Sequence, residues 1–410
     1  MFKGLSLDQA PPYEAPLRFF LTAPLFAVLG GVFLLFYSVD TVSFGSFAIF
    51  HLFTLGFITM IMMGAMQQML PVLVGVTFPK PLLFSKIIHI FLILGTLLFA
   101  FGLLFESSLA LFISTFFLLI GIFIFASITL YKLFKARHKS DTVVAMIFSL
   151  ISLILALLGG SHLLVSLALG KAGESFSFVL SLHGSFAFFG WVSLLIAGVT
   201  YQVIPMFYVT NDFNPLLKRF FSFFIFGVLL FSLFSKYFLI LAGLGYIVFG
   251  VFTLKAIESR KRKIKETSID FWKLSMISLI LASALFIASF FIESYYLRWI
   301  LSIIFLYGFV ISLICGMLYK IIPFLAWFHI SSRGFFDMPT MKEMIEERFL
   351  RYQFYAHILS LVFLIIYPKI AGIFIVISNI LLLFNLWQAV KIYFSYKNKP
   401  SPFDSFKQTG

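Results

Sequence analysis

The sequence predicts an all-α integral membrane protein of about twelve transmembrane helices, arranged as three quasi-repeated four-helix units within a single transmembrane domain, 1–410. Three observations predict it: an extreme apolar composition, apolar runs of bilayer length along the whole chain, and cations gathered in alternate connections. The 410 residues are 61% hydrophobic and 11% charged, with mean hydropathy +1.08. Soluble domains are about half apolar and a quarter charged, so the surplus apolar surface needs lipid.

A helix needs about 20 apolar residues to cross the hydrocarbon core. Runs of that kind lie at 17–38, 44–75, 84–105, 108–133, 143–168, 176–208, 215–235, 237–257, 270–292, 296–328, 350–367 and 370–393. Placing the N-terminus in the cytoplasm puts 24 of the 30 cations in inward segments. These are Lys3, Arg18, Lys80, Lys86, Lys132, Lys135, Arg137, Lys139, Lys218, Arg219 and the run Lys255, Arg260, Lys261, Arg262, Lys263 and Lys265. Arg333, Lys342, Arg348, Arg351, Lys391, Lys397, Lys399 and Lys407 complete them. Only Lys171, Lys236, Arg298 and Lys369 fall outside, with Lys273 and Lys320 in or beside spans. This asymmetry predicts a multi-pass inner (cytoplasmic) membrane protein with both termini cytoplasmic. The net charge of +14 then reflects topology and attraction to the lipid bilayer, with no nucleic-acid partner expected. The polar, Pro-rich residues 1–16 do not read as a cleaved signal peptide, so the first helix is expected to direct insertion.

Cys315 stands alone, which excludes intrachain disulfides and a cluster held by about four cysteines. No C-x-x-C-H attaches a c-type haem. The sequence has no P-loop or dinucleotide fingerprint, so ATP-driven work by this chain is not expected.

One motif recurs in spans two, six and ten: Gly-aromatic, then Gly, then Gln or Lys, then Pro, at identical spacing. It reads Gly56-Phe57, Gly64, Gln68, Pro71; Gly190-Trp191, Gly198, Gln202, Pro205; and Gly308-Phe309, Gly316, Lys320, Pro323. Each copy falls in the second span of a unit, the units being about 16–135, 143–265 and 269–395. The glycines suit close helix contact and the prolines end or kink each helix. The amide or ammonium three residues earlier is placed to bond carbonyls that the kink frees. These spans are the expected inner ring.

Of seven histidines, His138 and His329 are expected to be solvated, and His89 and His357 to make local hydrogen bonds. His51, His183 and His162 lie six or seven residues from the outer ends of spans two, six and five, a common depth of about 10 Å. Imidazoles in the hydrocarbon zone mark function by default, and neutral imidazole ligates haem iron or copper. The alternative is that each bonds a neighbouring hydroxyl or carbonyl. Leu55, Ile58, Met62, Met66 and Met69 continue the stripe from His51; their thioethers could bind Cu(I) but read first as adaptable packing.

Twelve spans in a quasi-threefold arrangement, with a histidine near the outer end of span two, resemble subunit I of the haem–copper oxidase superfamily. Pro16-Leu17-Arg18-Phe19-Phe20, with His51, Gly56-Phe57, Gly64 and Pro71, also resembles the NnrS family, polytopic proteins associated with haem, copper and nitric-oxide stress. The resemblance implies His51 as a haem ligand and His183 at a copper site. Oxidases also carry a histidine pair in span seven and His-x-His in span ten, which 215–235 and 302–307 lack, so a complete oxygen-reducing enzyme is not expected.

The leading expectation is therefore a haem b protein that uses His51, His183 and His162, the latter two alternatively for copper. It would serve electron transfer, with a respiratory or other redox partner, or a nitric-oxide or gas response. A permease for copper or a small metabolite, with Lys320 on its route, is the second reading. A cofactor-free partner of a respiratory complex is the third.

Overall fold

In lipid an apolar segment has no partner for its peptide groups except itself, so each run closes as a helix. The computed structural model describes residues 10–402 except 38, 40–42, 76, 137 and 172. Lys3, Arg137 and Lys407, counted above among the inward cations, lie outside the described residues. Regular structure among the described residues is entirely helical. The spans are α1 (Glu14–Phe36), α2 (44–74), α3 (Pro81–Leu104), α4 (Ser108–Phe134), α5 (Asp141–Ala168) and α6 (Phe176–Tyr208). They continue with α7 (Pro215–Phe231), α8 (Leu239–Glu258), α9 (Thr267–Ala288), α10 (Tyr295–Ser331), α11 (Glu347–Ile366) and α12 (Pro368–Lys397).

Among the described residues, 11 helices are long and apolar enough to cross a membrane. The twelfth, α7, has 17 residues and rises about 26 Å, slightly under the hydrocarbon thickness. The chain is an all-α polytopic membrane protein. Ser43, Ser107, Ser140 and Ser294 each cap a helix by accepting a backbone N–H three residues on. Phe116, Phe223, Ile277 and Ile380 project outward, as side chains facing lipid should.

Packing follows the chain in blocks of four. In each block the second helix lies on the first: α2 on α1, α6 on α5, α10 on α9. The last helix of each block packs on the first of the next, α4 on α5 and α8 on α9, and α12 returns to α1. Segments of α2 and α10 are the most buried in the bundle, 72% in each. Phe50 of α2 meets Phe188 of α6, which meets Phe305 of α10, and Phe53 of α2 meets Tyr307 of α10.

The glycines of the recurring motif face the first helix of their block. A Cβ on Gly56, Gly190 or Gly308 would strike Phe26, Ser152 or Ser278, and one on Gly64, Gly198 or Gly316 would strike Phe19, Ala145 or Phe271. The partner positions stand 126 residues apart in both series (152 − 26 and 278 − 152; 145 − 19 and 271 − 145). Small residues let the two helices approach closely. Each second helix also widens into a π-helical segment, Leu52–Thr59, Phe186–Val192 or Ile304–Ile311. Every such segment begins four residues before the first glycine of its motif. Such turns are rare, bend a helix and concentrate at functional sites.

The motif's polar position behaves differently from expectation. Lys320 does not bond kink-freed carbonyls; its ammonium pairs with the Glu266 carboxylate. The Gln68 Oε1 atom is buried without a partner, and the neighbouring Gln67 amide donates to the Met63 carbonyl at 3.4 Å. Ion pairing wins at Lys320 because a carboxylate is within reach, and a charged acceptor outcompetes a carbonyl. Pro71 and Pro205 are followed four residues later by left-handed caps at Gly75 (φ 68°) and Val209 (φ 51°), whereas α10 runs on past Pro323 to Ser331.

Candidate functional site

A cavity of about 440 Å³ lies toward the N-terminal ends of α2 and α6 and the C-terminal end of α5 and is closed on one side by α10. Its wall is mainly aromatic and aliphatic, including Phe47, Phe50, Phe99, Phe188, Trp191 and Trp299, with a few hydroxyls and no Asp, Glu, Lys or Arg among the described residues. Two imidazoles break this surface, His51 from α2 and His183 from α6.

Both rings are oriented in the same way. The His51 Nδ1–H donates to the Phe47 carbonyl one turn back, at 2.8 Å. The His183 Nδ1–H crosses to α5 and donates to the Ala156 carbonyl, also at 2.8 Å. A carbonyl can only accept, so Nδ1 carries the proton and the Nε2 lone pair of each neutral ring is left for a ligand. A second bond that fixes tautomer and ring plane is the usual support of a metal-ligating histidine. The ring centres stand 6.3 Å apart with planes 17° from parallel, too far for ring-on-ring contact. Phe99 flanks His51 at 4.5 Å.

Local sequence explains the placement. His51 is the last residue before the π-helical segment of α2, and His183 precedes that of α6 by three residues. Opposite His183, α5 offers Gly159 and Gly160. A Cβ on Gly160 would come within 2.8 Å of the imidazole Cε1 and 3.0 Å of Nδ1, so the bare backbone makes room for the ring.

His162 does not join them. It is exposed on the outside of α5, while Ser161 beside it lines the cavity. One residue turns a helix by about 100°, so equal depth does not ensure a shared face. The expected trio is a pair. Among the described residues no group of three or more His, Cys, Asp or Glu is placed to hold a metal ion. Met62 and Met66 are core packing and line no part of the cavity.

The remaining histidines are accounted for. His138 is exposed. His89 bonds the Thr22 hydroxyl at 2.9 Å and His357 the Ser312 hydroxyl at 2.8 Å. His329, expected in solvent, is instead half-buried beside Tyr13 and Tyr393, because α12 and the segment before α1 fold over it.

Sequence reasoning overlooked a buried polar network in the third block. The Gln353 amide of α11 donates to Ser378 of α12 at 2.9 Å and accepts from the Tyr319 hydroxyl of α10 at 3.2 Å. Asn385 of α12 donates to the Tyr319 oxygen at 3.0 Å and to the Phe349 carbonyl at 3.1 Å. Its signal was present: Gln353, Asn379 and Asn385 are amides inside apolar runs. Tyr307, a wall residue of the cavity, stacks on His357 at 4.5 Å. Two donors of wall residues, Trp191 Nε1 and Tyr307 Oη, are buried without a hydrogen-bond partner among the described residues.

Compared with known proteins, the sequence matches no family model and no curated protein.

Proposed function

We propose that the chain is a haem b protein of the inner membrane, with both termini cytoplasmic, in which His51 and His183 would hold the iron. The observation that carries this reading is the pair of pinned imidazoles, 6.3 Å between centres, on one cavity with no charged side chain among its described lining residues. Two imidazoles on opposite sides of one ion have centres about 6 Å apart, from a metal–nitrogen bond of about 2.0 Å and about 1.1 Å to the ring centre on each side. A bare copper ion would leave most of a 440 Å³ apolar space unfilled, whereas a flat apolar macrocycle fills it. The unpartnered Trp191 and Tyr307 donors are available to the polar edge of such a group.

Bound haem supplies one-electron chemistry. Two protein imidazoles on the iron would favour electron transfer to a redox partner over gas binding. This chain's part is to hold the ligand tautomers, orient both rings through the Phe47 and Ala156 carbonyls, and keep water from the pocket with aromatic walls. The permease reading loses its main support, since the Lys320 ammonium is already neutralised by Glu266.

The test is the dithionite-reduced spectrum of protein purified from cells supplied with haem precursor. Expected is a low-spin b-type spectrum that disappears in His51→Ala and in His183→Ala and persists in His162→Ala. A purified, folded protein with no Soret band ends the proposal.

A further inference from the structure

A second cavity, of about 370 Å³, lies at the opposite end of the bundle where the second block meets the third. It is lined by Arg260, Lys265, Glu266, Ile269, Asp270, Lys273 and Arg351. This is the face that carries the cation-rich connections, and hydrogen bonds tie those connections together. The Lys261 N–H donates to the Val209 carbonyl at 3.1 Å and the Thr267 N–H to Glu347 at 2.6 Å.

The charges in this cavity do not balance. Glu266 is taken by Lys320, which stands outside the lining and also lies over the Tyr208 ring. Asp270 is 3.9 Å from Arg351, which Glu347 also holds at 3.5 Å. Arg260, Lys265 and Lys273 are left with no carboxylate within 4.0 Å among the described residues. The Arg260 Nε atom is buried and makes no hydrogen bond. Lys273 is half-buried and six residues into α9, about 9 Å along its axis, where an unpaired ammonium is costly. Three cations around one cavity, one with an unused buried donor, describe a site for an anion. Its depth, at the end of membrane spans, is that of lipid phosphates, and a guanidinium with two ammonium groups offers the fork and point charges that phosphate takes.

We infer that this cavity binds a phosphate group, that of an anionic phospholipid or a soluble phosphate, through Arg260, Lys265 and Lys273. Occupancy would tie the connection that follows α8 to α9, at the join of the second and third blocks on this face. The site is remote from the imidazole cavity and does not depend on any cofactor there.

The experiment measures binding of phosphatidylglycerol, of phosphatidylcholine with the same chains, and of inorganic phosphate to the full chain in neutral detergent. It compares wild type with Arg260→Gln/Lys273→Met. Phosphatidylglycerol should bind saturably, with the dissociation constant raised tenfold to a hundredfold in the double variant, as expected for the loss of charge-assisted bonds. Phosphatidylcholine should show no dependence on the substitutions. If inorganic phosphate alone shows saturable, substitution-sensitive binding, the site stands and its ligand is soluble. Should the double variant not fold, Lys265→Gln in the connection should weaken binding while Lys273→Arg keeps it within about twofold. Binding of both anions unchanged by the substitutions, or no saturable binding of either to wild type, overturns the inference.

Discussion

The position of His183 rests on a space that only glycine leaves, and adjacent glycines provide an internal control. A Cβ on Gly159 would lie 3.5 Å from the His183 Cβ, an ordinary contact, whereas one on Gly160 would lie 2.8 Å from the ring. Both substitutions to alanine gain the same helix preference, about 0.5–1 kcal/mol, so that gain cancels in their difference. In Gly160→Ala the ring has two ways out. It can stay and overpack, at about 1–3 kcal/mol, or turn away and lose the half-buried Nδ1–H bond to Ala156, at about 1 kcal/mol or more. Gly160→Ala should therefore be about 2 kcal/mol less stable than Gly159→Ala, read by SDS titration of both variants in the same detergent. The displaced Nε2 should also weaken or abolish the haem spectrum in Gly160→Ala alone. Equal stability and equal spectra for the two variants would refute the account of how the imidazole is held.

Other outcomes follow from single contacts. Lys320→Met should cost about 1–2 kcal/mol because it leaves a carboxylate only 22% exposed without its partner, and adding Glu266→Gln should recover most of the loss in a double-mutant cycle. Asn385→Leu should cost about 1–3 kcal/mol, because it removes bonds to both Tyr319 and Phe349, while Asn379→Leu, whose bond to Ile375 is local to α12, should cost less. Cys315 of α10 is buried against Gln353 of α11, so a maleimide should label it only after unfolding, and rapid labelling of the folded chain would contradict its placement.

The spans could be read from sequence because lipid leaves the backbone one solution per apolar run. Most boundaries fall within a few residues of those runs, and even the short α7 begins where Pro215 follows a capping Asn214. Depth along each helix was equally legible, which is why His51 and His183 could be singled out. Azimuth was not. His162 shares their depth but is rotated off the face that Ala156 and Gly160 present to His183, and the bare Gly159-Gly160 pair was the overlooked sign of where a ring would pack. The Lys320–Glu266 pair was out of reach for another reason: its partners are 54 residues apart and meet only when α9 packs on α10.

The glycine contacts and the polar chemistry occupy separate positions, and that separation bears on how such a scaffold can carry a site. The glycine partners recur at a constant interval through all three blocks, and the π-helical segments keep one register against the motif. The imidazoles follow no such rule. His51 lies five residues before its motif glycine and His183 seven, and the third block has Ile303 and Leu301 at those places. Its polar groups lie instead among α10, α11 and α12, where they cross-link helices. Residues that face the first helix of a block thus hold the bundle; His51 bonds only within its own helix and lies off that contact, whereas His183 shares it through Ala156 and Gly160 of α5. Replacing His51 with leucine should therefore empty the site and leave the helix packing intact, whereas Gly190→Leu should disrupt the packing itself, because its side chain would have to occupy the volume of Ser152 and Leu229.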